Sequence, residues 1–212
     1  MIHAFDKTYL DSTMSCLGAM LDYAVNSCQQ ELSLFYEQFL RSGVAQQIER
    51  GNPRYLCGLS GVEMAHLVAI RTGSPLPEAN PLIDMGSPEY WTGWTLAYLQ
   101  WHFGRGFKSL YQAGVGVDTL IQRYASLHEA DLSKAVRFAQ KSLERNQVHF
   151  HPLKEQRRNM HLTQQELSTL SGVSLRAIRA YEQSQLSLSN AGAASIVRLA
   201  RVLGCTPADL LE

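Results

Sequence analysis

Two helix starts lie eleven residues apart near the carboxyl end of the chain, at Thr163 and Ser174, with Gly172 between them. Thr163 offers an N-cap hydroxyl, and Glu166 three places on can return a bond to the cap residue's own amide, which makes a capping box. Leu167 and Leu170 are expected on the inner face of that helix, and Ser168 is small where a crossing helix needs close approach. Gly172 permits a positive φ that a residue with a β-carbon resists, so the chain turns there. Ser174 then caps a second helix over 175–183, whose Ile178 and Tyr181 point the same way as Leu167. Two helices joined by a short turn containing glycine form a helix-turn-helix unit.

The residues around this unit extend the pattern. Leu153, Arg157, Leu162-Thr163-Gln164-Gln165-Glu166-Leu167, Ser171-Gly172-Val173-Ser174, Ile178 and Tyr181-Glu182 are followed by Ile196, Leu199-Ala200, Leu203-Gly204-Cys205-Thr206-Pro207 and Leu210-Leu211. Together they resemble the Cro/CI-type helix-turn-helix domain of phage repressors and xenobiotic-response-element regulators. One position departs from the family: Ser184 stands where a glycine usually follows the recognition helix. The resemblance implies a five-helix, lambda repressor-like DNA-binding domain over residues 150–212.

It also implies roles by position. The helix at 175–183 lies in the major groove with its N-terminal residues on base edges. Ser174, Leu175, Arg176 and Ala180 then face DNA, and Arg179 either joins them or lies on a solvated face. The Arg176 guanidinium fits the O6 and N7 acceptors of guanine, a pairing worth ~1–3 kcal/mol of discrimination. Gln164 is expected on a phosphate, helped by the helix dipole, as are Ser189 and Asn190 at the start of the following helix. Arg157, Gly172 and Glu182 support the reader, with Arg157 and Glu182 as a partly buried ion pair.

Charge agrees with a local anionic partner. The whole chain carries 19 basic and 19 acidic residues, but 151–212 holds 7 and 5 against 12 and 14 in 1–150. A polybasic coat is excluded, and a basic patch belongs to the C-terminal piece. A junction is expected at 147–152, where Pro152 cannot extend a preceding helix and suits the first turn of a new one. The domains are therefore read as 1–147 and 150–212.

The first of these reads as helical throughout, which makes the chain all-α. Apolar residues recur at three and four over 9–26, with Asp11 and Asp22 on the wet side. Further helices fit 30–41, where Leu32, Phe35, Tyr36 and Phe39 share a stripe that stops at Gly43, and 63–72. A surface loop follows through Gly73, Pro75, Pro77, Pro81 and Gly86. Ser87-Pro88-Glu89 then opens a helix holding Trp91, Trp94 and Trp101 on one face. That face is read as a core stripe, with a ligand pocket or partner groove as the alternative. Helices at 117–125 and 130–145 complete this part, and Arg50-Gly51-Asn52-Pro53-Arg54-Tyr55 reads as a turn.

Catalytic and metal chemistry find no support. His149 and His151 have no further ligands at metal spacing, Gly114-Val115-Gly116 lacks a third glycine, and Ser60 lacks the nucleophile-elbow context. The expectation is no enzyme, no cofactor and no metal. Four scattered cysteines suit a reducing compartment. The longest uncharged apolar run, Tyr90 to Gly104, is too short and too polar to span a membrane, so a cytoplasmic protein is expected.

Since one Cro/CI-type module covers one half-site, the resemblance implies a homodimer on double-stranded DNA. Residues 9–11, 21–26, 48–55 and 90–94 resemble a helical region of no assigned activity in such bacterial regulators. The leading expectation is a sequence-specific transcriptional regulator acting as a repressor. The alternative is the antitoxin of a toxin-antitoxin pair, its N-terminal helices holding a toxin and its C-terminal domain repressing the operon.

Overall fold

The structure, a computed structural model, describes residues 3–145 and 151–211. It is all-α, and the described residues divide into two compact units, 3–145 and 151–211. Most of the expected junction, including His149 and Phe150, lies outside the described residues.

The first unit is built around α1 (Leu10–Asp22), which is buried on nearly every side. Such a helix needs neighbours that come to backbone distance, and glycines supply this at two crossings. α5 (Gly61–Thr72) starts against it, where a β-carbon on Gly61 would stand 2.6 Å from the Ala19 β-carbon. α6 (Pro88–Phe103) crosses it at Gly93, whose β-carbon would lie 2.3 Å from the Leu17 carbonyl oxygen. Both helices have encoded starts: Ser60 and Glu63 form a capping box, and Ser87 accepts from the Tyr90 amide with Pro88 in the first turn.

Asp22 departs from expectation. It is fully buried, not on a wet face. Its carboxylate accepts from Asn26 Nδ2 at 2.8 Å, the Asp84 amide at 3.1 Å and the Ser87 hydroxyl at 2.6 Å. Those donors meet the cost of taking a charge out of water. The Asp84 and Ser87 bonds tie the end of α1 to the segment before α6, and α1 itself passes into a π-helical turn, Tyr23–Ser27.

α2 (Leu32–Arg41) buries Phe35, Tyr36 and Phe39, and Glu31 caps it. The short α3 (Val44–Glu49) and α4 (Pro53–Leu56) follow, so the segment read as a turn at 50–55 contains a helix, with Asn52 accepting from the Arg54 amide. The expected helix at 117–125 is two, α8 (Val117–Ile121) and α9 (Tyr124–Leu127), preceded by α7 (Phe107–Gln112). Helices of one or two turns are too short to show a period. α10 (Leu132–Arg145) closes the unit with Ala135, Ala139 and Leu143 inward.

The tryptophan stripe divides. Trp101 is 5% exposed and donates from Nε1 to the Phe5 carbonyl at 2.8 Å, whereas Trp91 and Trp94 are half-buried and only flank the core. The four cysteines are free thiols. Burial pushes Cys16 up to about 12, so it stays protonated and unreactive.

The second unit comprises α11 (Pro152–Asn159), α12 (Gln164–Ser171), α13 (Leu175–Glu182) and α14 (Ala193–Leu203). Where the resemblance implies a fifth helix, the C-terminal element is a single 3-10 turn, Ala208–Leu210. Leu153, Leu167, Val173, Ile178, Leu199, Leu203 and Leu210 form its core. Leu170, expected inward, is 61% exposed: the inner face of α12 is completed by Ser171, which is buried and donates to the Leu167 carbonyl.

Candidate nucleic-acid interface

α13 is held in place from both ends. At its start Gly172 takes φ +64°, Ser168 Oγ donates to the Val173 carbonyl at 2.7 Å, and Ser174 accepts from the Ala177 amide at 3.2 Å. At its end Glu182, with a side chain 1% exposed, is gripped by Arg157 through Nε–Oε1 at 2.6 Å and Nη2–Oε2 at 2.8 Å. The third guanidinium nitrogen, Nη1, donates to the Leu162 carbonyl at 2.7 Å. Burial by itself raises the Glu182 carboxyl, but the bonds from Arg157 and Gln164, with the Arg157 and Lys154 charges, overcome it and hold the group below its ordinary value. α11, α12 and α13 thus meet on one ionised carboxylate.

With Ile178 and Glu182 inward, α13 turns its opposite side outward. Leu175, Arg176, Arg179 and Ala180 line a shallow concavity of about 680 Å³ there, and both arginines are exposed. Gln183, Gln185 and Leu186 complete its lining; they were not singled out from the sequence, although 183 continues the 176, 179 and 180 spacing by one turn.

The other expected contact residues are placed differently. Ser174 is exposed but serves as the cap of α13. Gln164 opens α12, yet its side-chain amide donates to Glu182 at 2.8 Å, so one of its N–H groups is already used inside the fold. Ser189 and Asn190 do not start the next helix. They occupy a 3-10 turn, Leu188–Asn190, and α14 begins at Ala193 behind a Gly192 cap, because Ser187 diverts the chain by accepting from the Ser189 amide. Ser184 adopts φ +55°, the left-handed conformation a glycine takes readily, and its hydroxyl lies 3.3 Å from both ring nitrogens of His151.

The whole of this arrangement falls within one recognised pattern. Residues 153–210 match the helix-turn-helix family model. The C-terminal unit is a helix-turn-helix DNA-binding domain, and such domains belong to transcription regulators. No curated protein and no solved structure matches the chain. The match begins at the first buried leucine of α11 and ends at the last of the core, Leu210, so the domain's pattern and its hydrophobic core coincide.

Two arginines on the outer face of this domain carry guanidinium forks that fit phosphate or guanine edges. Among the described residues, no three His, Cys, Asp or Glu side chains gather as a metal site requires, and no helix is long and apolar enough to cross a membrane.

Proposed function

We propose that the protein is a sequence-specific DNA-binding repressor that reads the major groove through the outer face of α13. The observation that carries this reading is the exposed pair Arg176 and Arg179 on a helix fixed by the buried Arg157–Glu182 bond. A rigid mount matters because base readout depends on donor positions to within a fraction of an ångström. Arg176, near the N-terminal end of α13, contacts a guanine; Leu175 and Ala180 offer apolar contact to thymine methyls. Arg179, Gln164, Ser189 and Asn190 hold phosphates, and Ser174 contributes at the helix start. The two parts act as separate domains joined near residue 147, and residues 3–145 pair two readers as a homodimer on a pseudo-palindrome. Four free thiols suit the reducing cytoplasm.

The test is selection of bound sequences from a random duplex library with the intact protein, followed by anisotropy titration on the enriched site. A two-fold symmetric site, bound at least about a thousandfold more tightly than random DNA, is the expected result. Failure to enrich any sequence removes the reading, and a promoter reporter distinguishes repression from activation.

A second reading, the antitoxin, is supported by one observation: Leu82 and Met85, in the segment joining α5 and α6, are 79% and 75% exposed, as a surface that covers a partner protein would be. Co-purification with the product of an adjacent small reading frame, lost in Leu82→Glu/Met85→Glu, tests it.

A further inference from the structure

A second concavity, of about 300 Å³, opens between α6, the end of α9 and the start of α10. That volume is at the lower end of the range for small-molecule sites, about 300–1,000 Å³. Trp91 and Trp94 form one wall, and His128 and Asp131 stand on the other. Neither indole N–H has a hydrogen-bond acceptor among the described residues, unlike that of Trp101. The aromatic wall is braced: Trp91 and Tyr124 pack edge-to-face with centroids 5.8 Å apart, Tyr124 stacks on His128 at 4.4 Å, and the Tyr124 hydroxyl donates to the Gly86 carbonyl at 2.5 Å.

The carboxylate lining the cavity is ionised. Asp131 accepts from the Ser133 amide at 2.7 Å, and that bond keeps its carboxyl below the ordinary range. Glu129 lies 3.7 Å from His128 Nε2, and no lysine or arginine is among the described residues lining the cavity. Two indoles and an ionised carboxylate lining one cavity suit a cation, through the ring quadrupole and through simple charge. A metal ion is the wrong occupant, since an indole offers it no lone pair and one carboxylate with one imidazole is too few ligands.

The geometry points to a binding site for a small organic cation, an alkylated ammonium compound, between Trp91, Trp94 and Asp131. An alkylated ammonium presents methyl groups to the indoles and spreads its charge, so it sheds water more readily than a bare ammonium. The inference rests on residues 3–145 alone and stands whether or not the α13 reading of DNA holds.

The experiment titrates the full-length protein with tetramethylammonium chloride, with choline chloride and with the neutral choline isostere 3,3-dimethyl-1-butanol, at matched ionic strength, following tryptophan fluorescence and binding heat. Both cations should saturate in the millimolar range or below, and the neutral isostere should bind about 5- to 30-fold more weakly. Trp94→Leu keeps an apolar wall but removes a π face, and Asp131→Asn keeps an acceptor for the Ser133 amide but removes the charge. Each should weaken the cations at least about 5-fold with little effect on the isostere. Should Trp94→Leu lose its fold by circular dichroism, Asp131→Asn, a surface change, decides. Equal binding of choline and its isostere, cation affinity indifferent to Asp131→Asn, or no saturation by either cation would each overturn the proposal.

Discussion

Arg157 and Glu182, 25 positions apart, form a two-pronged bond at 2.6 and 2.8 Å that joins the first helix of the C-terminal unit to the end of its outward-facing helix. Removing one partner strands the other charge in a buried place, so Glu182→Ala or Arg157→Ala should each cost about 3–5 kcal/mol. Chemical denaturation of the intact protein checks this, and it should show the C-terminal unit melting first in either variant. Replacing both by apolar residues should cost much less than the sum.

The same pair gives a pH dependence. Glu182 is depressed in the folded state, so its contribution is complete above the ordinary glutamate value of 4.5 and is lost as pH falls through the lower folded value. Stability of the C-terminal unit should be flat around neutrality and fall below about pH 4.5. In Glu182→Gln that acid-side loss should shrink, as measured by melting across a pH series.

Gly93 and Gly172 are required for different reasons and should respond differently to alanine. At Gly93 a β-carbon meets the Leu17 backbone at 2.3 and 2.7 Å, so α1 and α6 must separate. Gly93→Ala should cost at least ~1–3 kcal/mol and unfold residues 3–145 at lower temperature. At Gly172 a β-carbon meets nothing within 4 Å, and only the φ of +64° resists. Gly172→Ala should cost about 1 kcal/mol, confined to the C-terminal unit, and calorimetry of both variants separates these outcomes.

Arg176→Ala should weaken binding to the selected DNA site by ~1–3 kcal/mol and relax preference at one base pair, while Arg179→Ala should weaken all duplexes alike and reduce the log–log salt slope by about 1. Titrations at several salt concentrations decide it. Equal losses on selected and random DNA for Arg176→Ala would make it a phosphate contact.

Among the tryptophans, Trp101→Ala should cost about 3–5 kcal/mol, because it removes a buried ring and leaves the Phe5 carbonyl without its donor. Trp91→Ala and Trp94→Ala, at half-buried positions, should leave the protein folded. Thermal melts of the three variants check the division.

What the sequence determined alone is what neighbours in the chain decide. Ser87 with Pro88, Thr163 with Glu166, and Ser174 all start the helices they were expected to start, because a cap bonds amides two or three residues away. The residues that carry the family resemblance, Leu153, Leu167, Ile178, Leu199 and Leu210 among them, are those that form the C-terminal core. Tertiary structure decided which faces are covered. Asp22 is charged by sequence but buried, since its donors at Asp84 and Ser87 stand 62 and 65 positions on. Leu170 is apolar but exposed, because none of the described residues packs over that side of α12. Trp91, Trp94 and Trp101 share a helix face and a residue type, yet only Trp101 lies beneath the N-terminal segment at Phe5, so one is core and two line a cavity. A residue type sets whether burial is favourable; only the arrival of a distant segment settles whether it happens.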